Sequence, residues 1–131
     1  MLAVVAGVVI LQQGATNAAH LQKIPYRLKI GMYKGVPHYS LPAMQSAVAV
    51  AGIQAFTVLA RRGGREMGLT VAGMLSVIAS LNRGNFYKSM TSYRDNTVWQ
   101  DVYHAVCPNG KIAYIKLTKV EDRIVIQFKE K

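Results

Sequence analysis

The segment that decides the fold is residues 112–129, which read IAYIKLTKVEDRIVIQFK. Apolar and polar residues alternate through both halves, and the polar triplet EDR separates them. This pattern predicts two antiparallel strands, 112–119 and 124–129, joined by a short turn. Such a sheet commonly buries one face only. The predicted buried set is Ala113, Ile115, Leu117, Ile124, Ile126 and Phe128. The opposite, open face then carries Tyr114, Lys116 and Lys129.

Two further strands are predicted upstream, over residues 86–93 and 98–106, with turn signals at 94–96 and 108–110. Alternation alone leaves open which face of each is buried. In the first strand one set is Phe86, Lys88 and Met90, opposite Tyr87, Ser89, Thr91 and Tyr93. In the second strand one set is Val98, Gln100 and Val102, opposite Trp99, Asp101 and Tyr103. Short turns between consecutive strands predict an antiparallel meander.

Helical periodicity precedes the strands. Ser40 can cap a helix whose first turn contains Pro42, and Gly52 ends it. A second helix is predicted over residues 57–67, where two consecutive glycines could interrupt it. A third begins after Thr70 and runs through Leu81. Helices followed by strands predict an α+β fold, with the N-terminal helices packed on one face of an antiparallel β-sheet.

Composition limits the function. The chain has 131 residues, the size of one domain. Its 16 Lys and Arg residues against 6 Asp and Glu residues give a net charge of +10, which favours a polyanionic partner, nucleic acid or an acidic membrane. The single cysteine, Cys107, excludes an internal disulfide and a Cys-based zinc site. The histidines and the few acids are too scattered for a recognisable metal site, so we expect no metal and no cofactor.

Residues 1–31 differ from the rest. They begin with an unbroken apolar run over residues 1–11, about half the roughly 20 residues of a transmembrane helix. A signal peptide would have a Lys or Arg before the apolar run, and none is present here. Three interpretations compete: a poor signal peptide, a short amphiphilic arm, or upstream sequence translated from a wrongly chosen start.

The predicted open face carries basic and tyrosine side chains together. An ordinary solvated sheet would explain any one of them. Basic excess, interleaved aromatic rings and an exposed sheet together are typical of a surface that binds single-stranded nucleic acid, because cations meet phosphates and rings stack on bases.

Four stretches resemble a known family. They are NFYKSMTSYRDNTVWQDVY at residues 85–103, the C-terminal IVIQFKEK, KGVPHY at 34–39 and REMGL at 65–69. Together they resemble the MqsR family, the motility quorum-sensing regulator toxins. The resemblance covers residues 32–131, which we interpret as an MqsR-like RNase toxin domain. Nothing before Met32 resembles the family. Residues 1–31 are therefore expected to be a non-family N-terminal extension, and a start-site artefact is the favoured explanation.

The resemblance implies a RelE-like fold and the activity of an mRNA interferase from a toxin–antitoxin pair. Members cut single-stranded RNA without a ribosome, with a preference around GC-containing triplets, and thereby inhibit translation and growth. The implied partners are single-stranded mRNA and an MqsA-like antitoxin with a zinc-bearing N-terminal domain and a helix-turn-helix domain. An mRNA substrate implies a cytoplasmic location and no membrane partner.

The resemblance also assigns residues. The family's proposed catalytic positions fall on Lys88, Gln100, Tyr114 and Lys129. Tyr87 and Met90 match flanking positions that contact the substrate. Some members have an arginine directly after WQDVY, where this chain has His104. That histidine could replace a phosphate contact, serve as an acid or base, or be an ordinary strand-end residue. Lys116, on the open face, is expected to make an accessory phosphate contact.

These residue types suit RNA cleavage without metal, in which the substrate's 2′-hydroxyl attacks the neighbouring phosphorus. Lysines would stabilise the added negative charge. Which residue acts as base and which as acid stays open. Two other functions compete: a non-catalytic RNA-binding or translation-regulating domain, and an exported or membrane-surface protein anchored by residues 1–11.

Overall fold

A computed structural model describes residues 32–131, so the predictions for residues 1–31 lie outside the described residues. Within this range three helices pack against one five-stranded antiparallel sheet. The helices are α1 (Leu41–Ala51), α2 (Val58–Glu66) and α3 (Val71–Ser80). The predicted α+β fold is confirmed, while the likeness to RelE stays a prediction. No helix within residues 32–131 combines the length and hydropathy that a membrane crossing needs.

The sheet follows chain order, each strand pairing with the next. The strands are β1 (Tyr33–Lys34), β2 (Phe86–Thr91), β3 (Trp99–Val106), β4 (Ile112–Val120) and β5 (Arg123–Glu130). The four predicted strands are present, although β2 ends two residues earlier than expected. The two-residue β1 was not predicted, since so short a strand shows no periodicity. It pairs with β2 and places Tyr33 opposite Met90.

The helices begin at the residues expected from the sequence. The side chains of Ser40, Thr57 and Thr70 each accept a hydrogen bond from a backbone N–H in the first turn of α1, α2 and α3. Helix α2 runs through Gly63 and Gly64 without interruption. Both glycines are buried, and they let α2 approach the rest of the core. Gly63 lies against the backbone of Phe128 on β5, and Gly64 lies against the side chain of Met74 on α3.

These two glycines give a matched pair of substitutions. A Cβ at Gly63 would collide with the carbonyl oxygen of Phe128, and the sheet backbone cannot move aside. A Cβ at Gly64 would meet the side chain of Met74, which is buried in the core but is more easily shifted than sheet backbone. We expect Gly63→Ala to lower the free energy of unfolding by about 2–3 kcal/mol. Both variants gain about 1 kcal/mol of helix propensity. Gly64→Ala should therefore cost less than Gly63→Ala, because its Cβ meets a side chain and not the sheet backbone.

Equilibrium urea unfolding of both variants measures the difference. The wild type is the reference, and circular dichroism of each variant before denaturant is added checks the fold. Equal midpoints for Gly63→Ala and Gly64→Ala would contradict the close approach of α2 to β5.

The hydrophobic core fills the space between the helices and one face of the sheet. From the sheet it contains Tyr103, Ile115, Leu117, Ile126 and Phe128, and from the helices Met44, Val48, Met74 and Ile78. The buried sets predicted for β4 and β5 are therefore confirmed, with Ile124 only partly buried. Val102 is also fully buried but is not part of this core. Its side chain lies on the opposite face of the sheet, beneath the side chains of the candidate site.

Candidate active site

The face of the sheet that points away from the helices, here called the open face, carries side chains in rows across the strands. The central row contains Lys88, Val102, Lys116 and Gln127. The next row, toward the β3–β4 turn, contains His104, Tyr114 and Lys129. The row on the other side contains Met90, Gln100, Thr118 and Val125. All eight residues predicted for catalysis or RNA binding lie on this face. Seven of them belong to these rows, and Tyr87 lies on the same face because of an irregularity in β2.

Tyr87 reaches the open face through a β-bulge. The register between β2 and β3 shifts between Phe86 and Lys88, which face Tyr103 and Val102 respectively. Phe86 consequently packs toward the core, with its ring edge-on to Tyr103 at 5.5 Å between centroids. Tyr87 and Lys88 both project to the open face, as bulges allow. The predicted grouping of Phe86 with Lys88, and of Tyr87 with Ser89, was wrong because alternation assumes an unbroken ladder.

Seven side chains make one contiguous group on this face, the site cluster: Tyr33, Tyr87, Lys88, His104, Tyr114, Lys116 and Lys129. The imidazole of His104 stacks on the ring of Tyr87 at 4.4 Å between centroids. It also lies beside the ring of Tyr114 at 5.3 Å.

Lysine ammonium groups complete the site cluster around these rings. The Nζ of Lys129 lies 5.6 Å from the centre of the Tyr114 ring. The Nζ of Lys88 lies 4.7 Å from the Tyr33 ring and 5.3 Å from the Tyr87 ring. Aromatic faces attract cations at such distances, so the rings hold the lysines in place without neutralising them.

No carboxylate balances the lysines of the site cluster. The ion pairs formed within residues 32–131 involve none of Lys88, Lys116 and Lys129. The chain's six acids lie elsewhere, in α2, in turns or on the inner side of the sheet: Glu66, Asp95, Asp101, Glu121, Asp122 and Glu130. A concentrated and unpaired positive charge with no carboxylate or thiolate suits an anion rather than a metal ion.

The environment changes the acidity of three groups in the site cluster. The pKa of Lys116 is lowered mainly by burial and, to a smaller extent, by the charges of Lys129 and Lys88. Burial raises the pKa of Tyr114, so that its hydroxyl keeps its proton at neutral pH. Burial, then the charges of Lys131 and Lys88, lowers the pKa of His104 from its ordinary 6.5. At neutral pH the open face therefore presents an uncharged imidazole and a protonated phenol between lysines.

The predicted residues divide into two groups. Tyr87, Lys88, His104, Tyr114, Lys116 and Lys129 fall in the site cluster. Gln100 and Met90 lie opposite each other one row from Lys88 and Lys116, at the margin of the site cluster. The sequence reasoning missed Tyr33, which enters through the unpredicted strand β1. Its only signal was the position just before the KGVPHY motif.

A buried carboxylate fixes the segment that delivers Tyr33. Asp101 is 1% exposed on the inner side of β3. It accepts hydrogen bonds from the backbone N–H groups of His38 and Tyr39 at 2.9–3.0 Å and from the hydroxyl of Ser89 at 2.6 Å. These bonds tie residues 35–39 to β2 and β3, and hence fix β1 at the edge of the sheet.

Comparisons with known proteins identify the family of this chain. A family model described as "Motility quorum-sensing regulator, toxin of MqsA" matches residues 36–130, which include β2–β5 and the site cluster except Tyr33. A protein named mRNA interferase toxin MqsR, from Escherichia coli (strain K12), is 39% identical over 100 residues, which are 76% of this chain and 100% of that relative. The chain belongs to the motility quorum-sensing regulator family, the toxins of MqsA.

Proposed function

We propose that this chain is the toxin of a toxin–antitoxin pair and an mRNA endoribonuclease that acts without the ribosome. Cleavage of mRNA would inhibit translation and growth. Membership of the toxin family and the relative named as an mRNA interferase support this proposal. The observation that carries it is the site cluster, where three lysines without acidic partners lie among tyrosine rings on an open sheet face.

The site cluster suits single-stranded RNA. Lysines attract the phosphates, and the exposed ring of Tyr87 offers a stacking surface for a base. Met90, at the margin, provides an apolar contact for the next nucleotide. Unpaired bases are needed for such stacking, because bases within a duplex stack on one another. A preference around GC-containing triplets is part of the proposal and follows from the family.

The chemistry is cleavage by the RNA's own 2′-hydroxyl, with no metal ion. The 2′-oxygen loses its proton and bonds to the adjacent phosphorus, and the bond from phosphorus to the 5′-oxygen breaks as that oxygen gains a proton. The products end in a 2′,3′-cyclic phosphate and a 5′-hydroxyl. The enzyme must stabilise the extra negative charge on phosphorus, and preorganised cations do this most effectively.

The site residues divide these tasks. Lys88 and Lys129 stabilise the charged phosphorane, and Lys116 makes a further phosphate contact. Tyr114, which keeps its proton at neutral pH, donates to the phosphate or to the leaving oxygen. Gln100 orients the 2′-hydroxyl or the phosphate by hydrogen bonds, since an amide has no proton to exchange.

The proposed protein partner is an MqsA antitoxin with a zinc-bearing N-terminal domain and a helix-turn-helix domain. The family description names MqsA as the counterpart of these toxins. The proposed location is the cytoplasm, where mRNA is translated.

The test uses a synthetic single-stranded RNA containing a GC triplet, incubated with the purified chain in EDTA. We expect cleavage in EDTA, products with a 2′,3′-cyclic phosphate, and no cleavage of the same RNA carrying a 2′-deoxy sugar at the scissile position. The 2′-deoxy RNA should still bind. A strict requirement for Mg²⁺ would refute the mechanism. Salt-sensitive binding of intact RNA with no cleavage would indicate a non-catalytic RNA-binding domain instead.

A further inference from the structure

His104 occupies the centre of the site cluster, between two tyrosine rings. We propose that His104 is the general base that removes the proton from the attacking 2′-hydroxyl. This inference rests on the proposed RNA cleavage and assigns one of its proton transfers. Of the roles that the sequence left open for His104, it selects that of a base over a phosphate contact or an ordinary strand-end residue.

The geometry places the imidazole on β3, between the strands that carry Lys88 and Lys129. His104 is opposite Tyr114 on β4, and Tyr114 is opposite Lys129 on β5. The ring of Tyr87 stacks on the other side of the imidazole. A phosphate held by Lys88 and Lys129 therefore sits beside His104, with Tyr114 on the far side of the imidazole from Tyr87. A base and a proton donor are thus adjacent.

The Nε2 atom of His104 is an orphaned polar atom. It is shielded from solvent, and no group within residues 32–131 forms a hydrogen bond with it. Buried polar atoms are nearly always paired, and the exceptions often have a functional reason. Tyr87 covers one side of the imidazole and is itself exposed, so its ring can turn aside with a base stacked on it and give a ribose hydroxyl access to the imidazole. A ribose hydroxyl would then supply the missing partner.

Burial and the surrounding charges together favour the neutral imidazole. The titratable groups that face it are Tyr87 and Lys88 on β2, Tyr114 and Lys116 on β4, and Lys129 and Lys131 at the end of β5. Every charged member of this set is a cation, and burial together with Lys131 and Lys88 lowers the pKa of His104. A neutral imidazole can accept a proton near pH 7, whereas it makes a poor phosphate contact because it carries no charge.

The lysines of the site cluster are weaker candidates for the base. Lys116 has a lowered pKa, but it starts from 10.5, far from neutral pH. A bound phosphate would favour its charged form further. His104 starts four units lower and needs no large shift to act at neutral pH.

The 2′-hydroxyl proton passes to the imidazole as the 2′-oxygen bonds to phosphorus, and the bond to the 5′-oxygen breaks. Tyr114 donates its phenolic proton to that leaving oxygen. The imidazolium then returns its proton to the adjacent phenolate, directly or through water, and both groups recover their starting state.

The experiment measures kcat and KM for RNA cleavage in EDTA between pH 4.5 and 8.5 for the wild type, His104→Gln and His104→Arg. His38→Gln is the matched control, because His38 stacks on Trp99 at the edge of the sheet, away from the site cluster. Binding of RNA with a 2′-O-methyl group at the scissile position is measured for each variant.

The wild-type kcat/KM should rise with pH and level off, because the base must be unprotonated, with a midpoint below 6.5. At pH 7.5, His104→Gln should lose about 100-fold or more in kcat with KM and 2′-O-methyl RNA binding nearly unchanged. The fall of kcat/KM at low pH should disappear in this variant. His104→Arg should also lose kcat despite its permanent charge, while His38→Gln should keep the wild-type profile.

Full kcat in His104→Arg, or an intact fall of kcat/KM at low pH in His104→Gln, would overturn the role as base and leave the proposed RNA cleavage standing. A wild type that binds RNA but does not cut it would overturn both proposals.

Discussion

Lys88→Ala should reduce the rate of RNA cleavage by about 10²–10³-fold, the usual loss when one preorganised group that stabilises transition-state charge is removed. Lys88 lies in the central row of the open face, opposite Val102, with its ammonium between two tyrosine rings. Within residues 32–131 the Lys88 ammonium has no acidic partner, and Lys88 lies outside the core, so its removal should leave thermal stability nearly unchanged. Single-turnover cleavage with enzyme in excess measures the chemical step.

Lys119→Ala is the control for this loss. Lys119 is on β4 with Lys116, but it is exposed at the end of the strand and lies 4.0 Å from Asp122. The Lys119→Ala variant should cleave RNA at the wild-type rate, although it loses the same formal charge as Lys88→Ala. Equal rates for Lys88→Ala and the wild type would remove Lys88 from the mechanism. Equal losses in the two variants would point to overall charge instead of position.

The second large effect is on stability. Asp101→Ala should lower the free energy of unfolding by about 3 kcal/mol or more, because it leaves the buried hydroxyl of Ser89 and the N–H groups of His38 and Tyr39 without an acceptor. Urea unfolding measures the loss. Cleavage should also fall at temperatures where the variant is folded, because residues 35–39 and the strand carrying Tyr33 lose their attachment to the sheet.

Two comparisons isolate this effect. Ser89→Ala removes one donor and keeps the carboxylate with its two backbone donors, so it should cost about 1.5–2 kcal/mol, less than Asp101→Ala. Asp95→Ala is the matched acidic control, since Asp95 is exposed and its carboxylate accepts hydrogen bonds from Thr97 alone within residues 32–131. If the urea midpoints of Asp101→Ala and Asp95→Ala were equal, the buried carboxylate would not be the anchor of residues 35–39.

Local chemistry explains why much of this fold could be predicted. Ser40 and Thr70 cap helices by bonds to residues three positions on. The faces of β4 and β5 follow from alternation because neither strand is interrupted. These features depend on near neighbours in the sequence, so a single sequence contains them. The positions of Tyr114, Lys116 and Lys129 on one face could be predicted in the same way.

The missing features depend on distant parts of the chain. Strand β1 pairs with β2, and the segment after it is held by Asp101, which lies 63 positions from His38 in the sequence. The bulge at Tyr87 depends on how β2 meets β3, which alternation within β2 does not reveal. From the sequence alone, the two glycines of α2 predict an interruption of the helix. Their role becomes clear only from the backbone of β5, which lies directly against Gly63. The central position of His104 likewise required the rings from β2 and β4.

The bulge in β2 also limits how this surface could be engineered. A regular strand presents every second residue to a given side, about 6.6 Å apart. Here an aromatic ring and an ammonium group are supplied by adjacent residues, Tyr87 and Lys88, at half that spacing. Copying the letters FYK onto a flat strand of another scaffold would turn the ring toward the scaffold's interior. Transfer of this surface to another scaffold would require the β-bulge as well as the side chains.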